Sequence, residues 1–242
     1  MNRSDSSQRA PSGAAEAVDD FYERMPYPPP LTSLDEHRDL YRNPERRRAL
    51  FHLQWPTEPP RGNREILVAG CGTSQAARYA LQEPDARVTG IDVSTTSLRY
   101  TRDLQRKYGL ANLDLHQLPI ENVQELGRTF DQIVCTGVLH HLPDPDRGLS
   151  ALRDVLKPRG ALHLMVYAAY GRAGIYMMQQ YCRLLGLNPS ETDLRDLGAT
   201  LETLPADHPV AGVLRRRRTA VRYGSGIAFI ALGATAALAK RT

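Results

Sequence analysis

Ile66-Leu67-Val68-Ala69-Gly70-Cys71-Gly72-Thr73 decides the fold. Its four apolar residues run on without alternation, as a strand covered on both faces requires. Two glycines one residue apart follow, and then Ala76, Ala77, Tyr79, Ala80 and Leu81 recur at helical spacing. A glycine-rich turn between a buried strand and a helix aims backbone N–H groups, and the helix's positive end, at a ligand beyond the strand. The next strand, Arg87 to Ile91, ends at Asp92, twenty positions past Gly72. A carboxylate there can accept hydrogen bonds from ribose hydroxyls. Strand, turn, helix, strand and acid together point to a nucleoside-containing cofactor. The bland alternative is a tight turn and a surface acid.

The alternation continues downstream. Ser94 caps a helix that closes near Gly109, Leu113–Gln117 is a weak strand and Phe130–Thr136 a strong one. Asp144-Pro145 opens a helix ending at Leu156, and Lys157-Pro158-Arg159-Gly160 turns into the strand Ala161–Tyr167. This order predicts an α/β fold with a mostly parallel, Rossmann-like sheet and right-handed crossovers. Upstream, residues 1–14 are too polar to order themselves. A helix over 15–25 carries Val18, Phe21, Tyr22 and Met25 on one face and stops at Pro26-Tyr27-Pro28-Pro29-Pro30. Ser33 with Glu36 has the form of a capping box for a second helix to Tyr41, and Asn43-Pro44 opens a third to about Gln54. The expected organisation is a disordered tail (1–14), an N-terminal helical arm (15–60), the α/β core (61–170) and a helical C-terminal extension (171–242). In that extension Ile175–Leu185 and Asp193–Leu204 are the helices, with Tyr176, Met177, Met178 and Tyr181 expected in the core rather than against a substrate.

Composition sets outer bounds. A chain of 242 residues, 41% hydrophobic and 24% charged, is neither collagen-like, nor wholly disordered, nor a disulfide-stapled mini-protein. Cys71, Cys135 and Cys182 are scattered and offer no zinc spacing, so the expectation is unpaired thiols in a reducing cytoplasm. The net charge of +4 is almost all arginine. The runs Arg46–Arg48 and Arg215–Arg218 are not interleaved with stacking aromatics, so solvated faces are expected and nucleic acid is not. The first residues hold no apolar signal segment. The apolar stretch Gly226–Ala239, fourteen residues long, falls short of the ~20 a membrane span needs. A buried helix or closing strands is the first reading of it, a membrane contact the second.

The cofactor can be narrowed. A dinucleotide turn needs a third glycine where Gln75 stands, and the chain has no TyrxxxLys pair, which disfavours an NAD-linked oxidoreductase. ILVAGCGT, TGIDVS and FDQIVCTGVLHHLPDPDRGLSALRDVLKPRGALHLMVY resemble the first, second and fourth-to-fifth motifs of the class I S-adenosylmethionine (SAM)-dependent methyltransferases. The resemblance covers about residues 64–168. FYERMPYPPP, GCGTSQ and LGRTFDQIVCTGVLHHL are similar to a bacterial subgroup in which a YP-rich arm precedes the methyltransferase domain.

The resemblance implies a seven-stranded type of core, SAM as cofactor and an unidentified acceptor, with a small molecule as the first expectation. It places the cofactor on Ala69, Gly70, Cys71, Gly72 and Thr73, on Asp92 and Val93, and on Thr136 and Gly137 at the methionyl end. It departs from the family at Val68, where an acid is common, at Ser74, the loop's third glycine, and after the third strand. There Gln117, Leu118 or Glu121, or the backbone of Leu118 and Pro119, stand where an adenine-binding acid is usual. For a hydroxyl acceptor, His140 and His141 are the candidate bases, one facing the cofactor and the other packed; the alternative is that both are structural. Tyr22, Tyr27 and Tyr41 could cover the pocket, or the arm could pack on a sheet face. Asp144 to Asp146 are expected as helix caps and Cys71 as a small turn residue. The final strand pair has Arg218–Tyr223 and the segment from Ile227 as its candidates. A SAM-binding but inactive interaction module, with a shortened C-terminus, is the second reading of function.

Overall fold

A computed structural model describes residues 23, 26, 28–55, 63–168, 173–187, 190–205 and 207–208. The chain divides into two compact units, one spanning Asp19–Tyr167 and a second holding the described residues from Ala168 onward. The arm expected as a segment of its own therefore clusters with the core.

Five parallel strands make the sheet: β1 (Glu65–Ala69), β2 (Arg87–Asp92), β3 (Leu113–Gln117), β4 (Phe130–Thr136) and β5 (Leu156–Met165), in the order β3-β2-β1-β4-β5. Side chains alternate across a strand. Ile66 and Val68 accordingly enter one core layer with Ala76, Ala77, Val88 and Leu98, while Leu67 and Ala69 enter the other with Ile91, Phe130, Ile133 and Leu152. Both layers are dry, which is why β1 has no polar alternation. The helices α3 (Gln75–Gln82) and α4 (Thr95–Tyr108) cover the first face, and α5 (Pro145–Asp154) with a 3-10 turn at Ile120–Leu126 covers the second. Chain direction reverses its march between β1 and β4, the switch point where open α/β sheets bind ligands at strand carboxyl ends.

Local signals hold at several ends. Ser94 Oγ accepts the Ser97 N–H and Gly109 closes α4 in the left-handed region. Asp144 Oδ1 accepts the Arg147 N–H at 3.0 Å, so this acid is a helix cap. Before the sheet, α1 (Asp35–Arg42) and α2 (Pro44–Gln54) follow the arm, and Asn43 Oδ1 accepts the Glu45 and Arg46 amides. The capping box does not form: Leu34 holds the N-cap position, and Ser33 Oγ instead bonds Asp35 and the Tyr108 hydroxyl. The reason is tertiary. Leu34 is fully buried among residues of α3 and α4, and its N–H donates to the Tyr108 hydroxyl at 2.7 Å.

β5 begins earlier than its sequence indicates. Leu156 pairs with Phe130 and Ala161 with Gln132, so Lys157–Gly160 is an irregularity within the strand rather than a turn before it. Lys157 Nζ reaches Asp131 Oδ2 at 2.8 Å there, and Gly160 has no room for a Cβ beside Leu156. Among the described residues β5 has one neighbour, and Leu164, Met165 and Val166 are exposed. The candidates for the closing strand pair, the apolar tail, the Arg215–Arg218 run, the helix over 15–25 apart from Glu23, and Tyr22 and Tyr27 lie outside the described residues. Arg46 and Arg48 are exposed, as a solvated face requires.

In the second unit, α6 (Ala173–Leu184) and α7 (Glu191–Glu202) form, the latter capped by Ser190. Here the core expectation is corrected. Met178 and Cys182 are buried, but Tyr176, Met177 and Tyr181 are 45%, 62% and 48% exposed. A helix can bury one face, and four apolar residues within six positions cannot all share it. No helix among the described residues is long and apolar enough to cross a membrane.

Candidate cofactor site

The glycine turn is built from two left-handed residues, Gly70 at φ 65° and Gly72 at φ 57°. A side chain at Gly70 would also drive into Val138, so this glycine lets the turn after β1 seat against the loop after β4. The Cys71 N–H donates to Ile91 O at 2.9 Å, and the Gly72 N–H donates to Asp92 Oδ2 at 2.7 Å. Asp92 Oδ1 accepts the Ser94 N–H at 3.0 Å. Both carboxylate oxygens are thus fixed by backbone donors, and each keeps a second lone-pair direction. Burial pushes the Asp92 carboxyl above the usual aspartate range, against the pull of the Ser94 and Gly72 amides.

The other expected cofactor residues converge on the same strand ends. Leu118 N donates to Asp92 O at 3.0 Å, and Gln117 Nε2 donates to Val93 O at 3.1 Å, tying the segment after β3 to the end of β2. Pro119 precedes the 3-10 turn, whose first residues include Glu121. Thr136 Oγ1 accepts from Gln75 Nε2 at the start of α3, so the β4 end meets the glycine turn. Gly137 adopts φ 76°, with its N–H on Met165 O. Thr73 is fully buried, and its hydroxyl donates to Pro28 O at 2.7 Å.

His140 and His141 lie on a short 3-10 turn, Leu139–His141, just beyond β4. The two imidazoles lie against one another and share a third ring. The two rings are 4.2 Å apart, and both meet Tyr167, His140 at 3.9 Å and His141 edge-on at 6.0 Å. The Tyr167 hydroxyl comes to 4.0 Å from where a Cβ on Gly137 would stand, with Met165 Cε at 3.5 Å. One imidazole pair, one phenol and one bare backbone position thus share the carboxyl ends of β4 and β5. Cys71 is buried, and desolvation followed by the nearby Asp92 charge holds its thiol well above the ordinary range.

Residues 67–162 match the methyltransferase domain family. An uncharacterised protein of Synechococcus sp. is 37% identical over 209 residues, covering 86% of this chain and 50% of that protein. The ubiquinone biosynthesis O-methyltransferase of Acinetobacter baylyi is 26% identical over 175 residues, covering 65% of this chain and 73% of that enzyme. PKMT2 of Rickettsia typhi, solved in complex with AdoHcy, shares the fold at a TM-score of 0.54 and 22% identity, over 75% of this chain and 37% of that one. The matched segment runs from β1 into β5 and contains the glycine turn and Asp92, so the core matches a methyltransferase domain. The chain spans half the length of the Synechococcus relative.

Within the methyltransferase domain the family departures have visible causes. Val68 is fully buried in the layer under α3 and α4, where a carboxylate would be desolvated without a partner. Ser74 is buried beside Thr73 at the start of α3. Three residues of the site went unread in sequence. Gln75 was legible as a missing glycine, not as the partner of Thr136. Tyr167, expected as the last residue of a strand, lies two residues past the end of β5, and the adjacency of β4 and β5 is the signal that pairs it with His140. Glu23 lies within the FYERMPYPPP stretch, whose resemblance carries no sign that its carboxylate meets Thr95 and Thr96.

Proposed function

We propose that this chain transfers a methyl group from SAM to a hydroxyl oxygen of a small-molecule acceptor by in-line displacement. The observation that carries the reading is Asp92, a desolvated carboxylate held by the Gly72 N–H at 2.7 Å at the end of β2. The name of the Acinetobacter relative supports oxygen as the acceptor atom.

Asp92 fits a ribose, because each oxygen has one lone-pair direction left for a hydroxyl donor. Ala69, Gly70, Cys71, Gly72 and Thr73 supply a turn without bulky side chains. Val93, Gln117, Leu118 and Pro119 would hold the base of a bound cofactor, and Thr136 with Gly137 its methionyl end. Bound SAM supplies an electrophilic methyl group that needs no further activation. What remains for the protein is alignment and exclusion of water. Tyr167 fixes the plane of His140, and an imidazole of the His140–His141 pair takes the acceptor's hydroxyl proton as the new C–O bond forms.

Calorimetry of the purified chain with S-adenosylhomocysteine (SAH), and separately with NAD, tests the cofactor. SAH binds and NAD does not. Methyl transfer to a panel of hydroxylated small molecules then tests the acceptor. Absence of SAH binding, or binding with no turnover across hydroxyl, amine and thiol acceptors, overturns the enzymatic reading.

A further inference from the structure

The N-terminal arm meets the methyltransferase domain at three places, the two ends of α4 and the glycine turn. Near the helix's C-terminus, Lys107 Nζ donates to Thr32 O at 2.7 Å, and the Tyr108 hydroxyl binds Ser33 and Leu34. Further along, Pro28 O accepts the Thr73 hydroxyl on the glycine turn. At the helix's N-terminus, the Glu23 carboxylate accepts the Thr95 N–H, the Thr95 hydroxyl at 3.0 Å and the Thr96 N–H at 3.1 Å. The arm thus touches the turn after β1 and the turn after β2, the two walls between which Asp92 stands.

Local capping does not require Glu23. Ser94 already serves the Ser97 amide, and Asp92 the Ser94 amide. Glu23 takes the two amides between them, so two carboxylates from chain positions 69 residues apart occupy consecutive donors of one helix start. The positive helix end offsets their mutual repulsion. Desolvation raises the Glu23 carboxyl, but the bonds from Thr96 and Thr95 outweigh it and hold it below its usual range.

We propose that Glu23 is a cofactor-positioning residue: it fastens the arm across the ribose end of the site, so that the arm retains the bound nucleoside and steadies Asp92. The inference rests on the SAM-binding reading above. It makes cofactor retention, rather than methyl transfer itself, the quantity Glu23 controls.

SAH dissociation by stopped flow and affinity by calorimetry test it, on the full chain with Glu23→Ala and Glu23→Gln. E23A releases SAH about tenfold faster, the scale of one lost charge-assisted contact. E23Q keeps one acceptor oxygen and falls between E23A and the parent. A purely structural cap would instead lower the melting temperature and leave the SAH off-rate of the folded protein unchanged, and that result overturns the proposal. If E23A does not fold, hydrogen exchange of the unaltered chain replaces it: SAH slows amide exchange at Leu31–Leu34, and equal exchange with and without SAH overturns the proposal. A parent chain that fails to bind SAH removes the methyltransferase reading first. Binding by the parent with an unaltered E23A off-rate removes this inference alone.

Discussion

The Gly72 amide and the Asp92 carboxylate, twenty residues apart in the chain, meet at 2.7 Å across the carboxyl ends of β1 and β2. That bond fixes the acid's orientation before any ligand arrives. Removal of the carboxylate in Asp92→Ala leaves the Gly72 and Ser94 amides without this acceptor and the sugar without its partner. SAH affinity drops about a hundredfold or more, on the scale of two lost charge-assisted hydrogen bonds. Calorimetry on the folded variant measures it.

The same acid gives SAH binding a pH dependence. Burial raises its folded pKa above the ordinary aspartate value of about 3.9. Its charge therefore costs stability at neutral pH, and that cost is relieved as pH falls through the raised folded value. Protonation converts an acceptor oxygen into a donor, so SAH affinity declines on acidification at a higher pH than an exposed aspartate would dictate. An affinity titration between about pH 7 and 4 checks this.

Asp131 behaves in the opposite sense. It accepts the Glu65 N–H at 2.9 Å and pairs with Lys157 at 2.8 Å, at the amino ends of β1, β4 and β5. Desolvation opposes its ionisation, but the Glu65 amide and then Lys157 outweigh it and lower the carboxyl. Its contribution is complete above the unfolded value of about 3.9 and is lost as pH falls through the lower folded value. Asp131→Ala leaves the part-buried Glu65 amide and the Lys157 ammonium without this acceptor and costs about 1–3 kcal/mol. Denaturant unfolding at pH 7 measures the loss, and the gap between variant and parent closes in acid.

Gly90 sets how closely α3 lies on the sheet. A Cβ there would stand 2.8 Å from Ala76 Cβ, 2.8 Å from Leu115 Cδ2 and 3.2 Å from Cys71 Sγ. Gly90→Ala pushes helix and glycine turn off β2 at a cost of about 1–3 kcal/mol. Because Cys71 belongs to the turn, SAH affinity falls along with the denaturation midpoint.

Tyr167→Ala removes the ring that His140 lies against at 3.9 Å. Turnover falls about tenfold or more, the effect of a misaligned proton acceptor, while SAH affinity changes much less. Tyr167→Phe keeps the ring and loses the hydroxyl, so its smaller loss separates stacking from hydrogen bonding.

Much of this was legible in the chain because strand and turn chemistry is local. Ile66–Ala69, Asp92, Ser94 with Gly109, and Asp144 each declare their place through neighbours a few positions away. The capping box failed where Leu34 was drawn into a core formed by residues far downstream, which no local pattern encodes. β5 was misjudged at its start because Lys157 is held by Asp131 on another strand. Tyr176, Met177 and Tyr181 of α6, expected in the core with Met178, lie exposed because a single helix face cannot hold all four. At the site, the glycine turn and acid were readable from spacing, whereas Glu23, Gln75 and Tyr167 depend on which strands and segments become neighbours.

Leu34 has a further consequence for the order of events during synthesis. Its burial site is lined by residues up to Leu113, and its N–H is bonded by Tyr108, 74 positions later. The arm leaves the ribosome first, yet it has nothing to dock on until β1 through β3 have been translated. It therefore settles only once β3 has emerged, and until then Leu34 and its apolar neighbours stay open to chaperones.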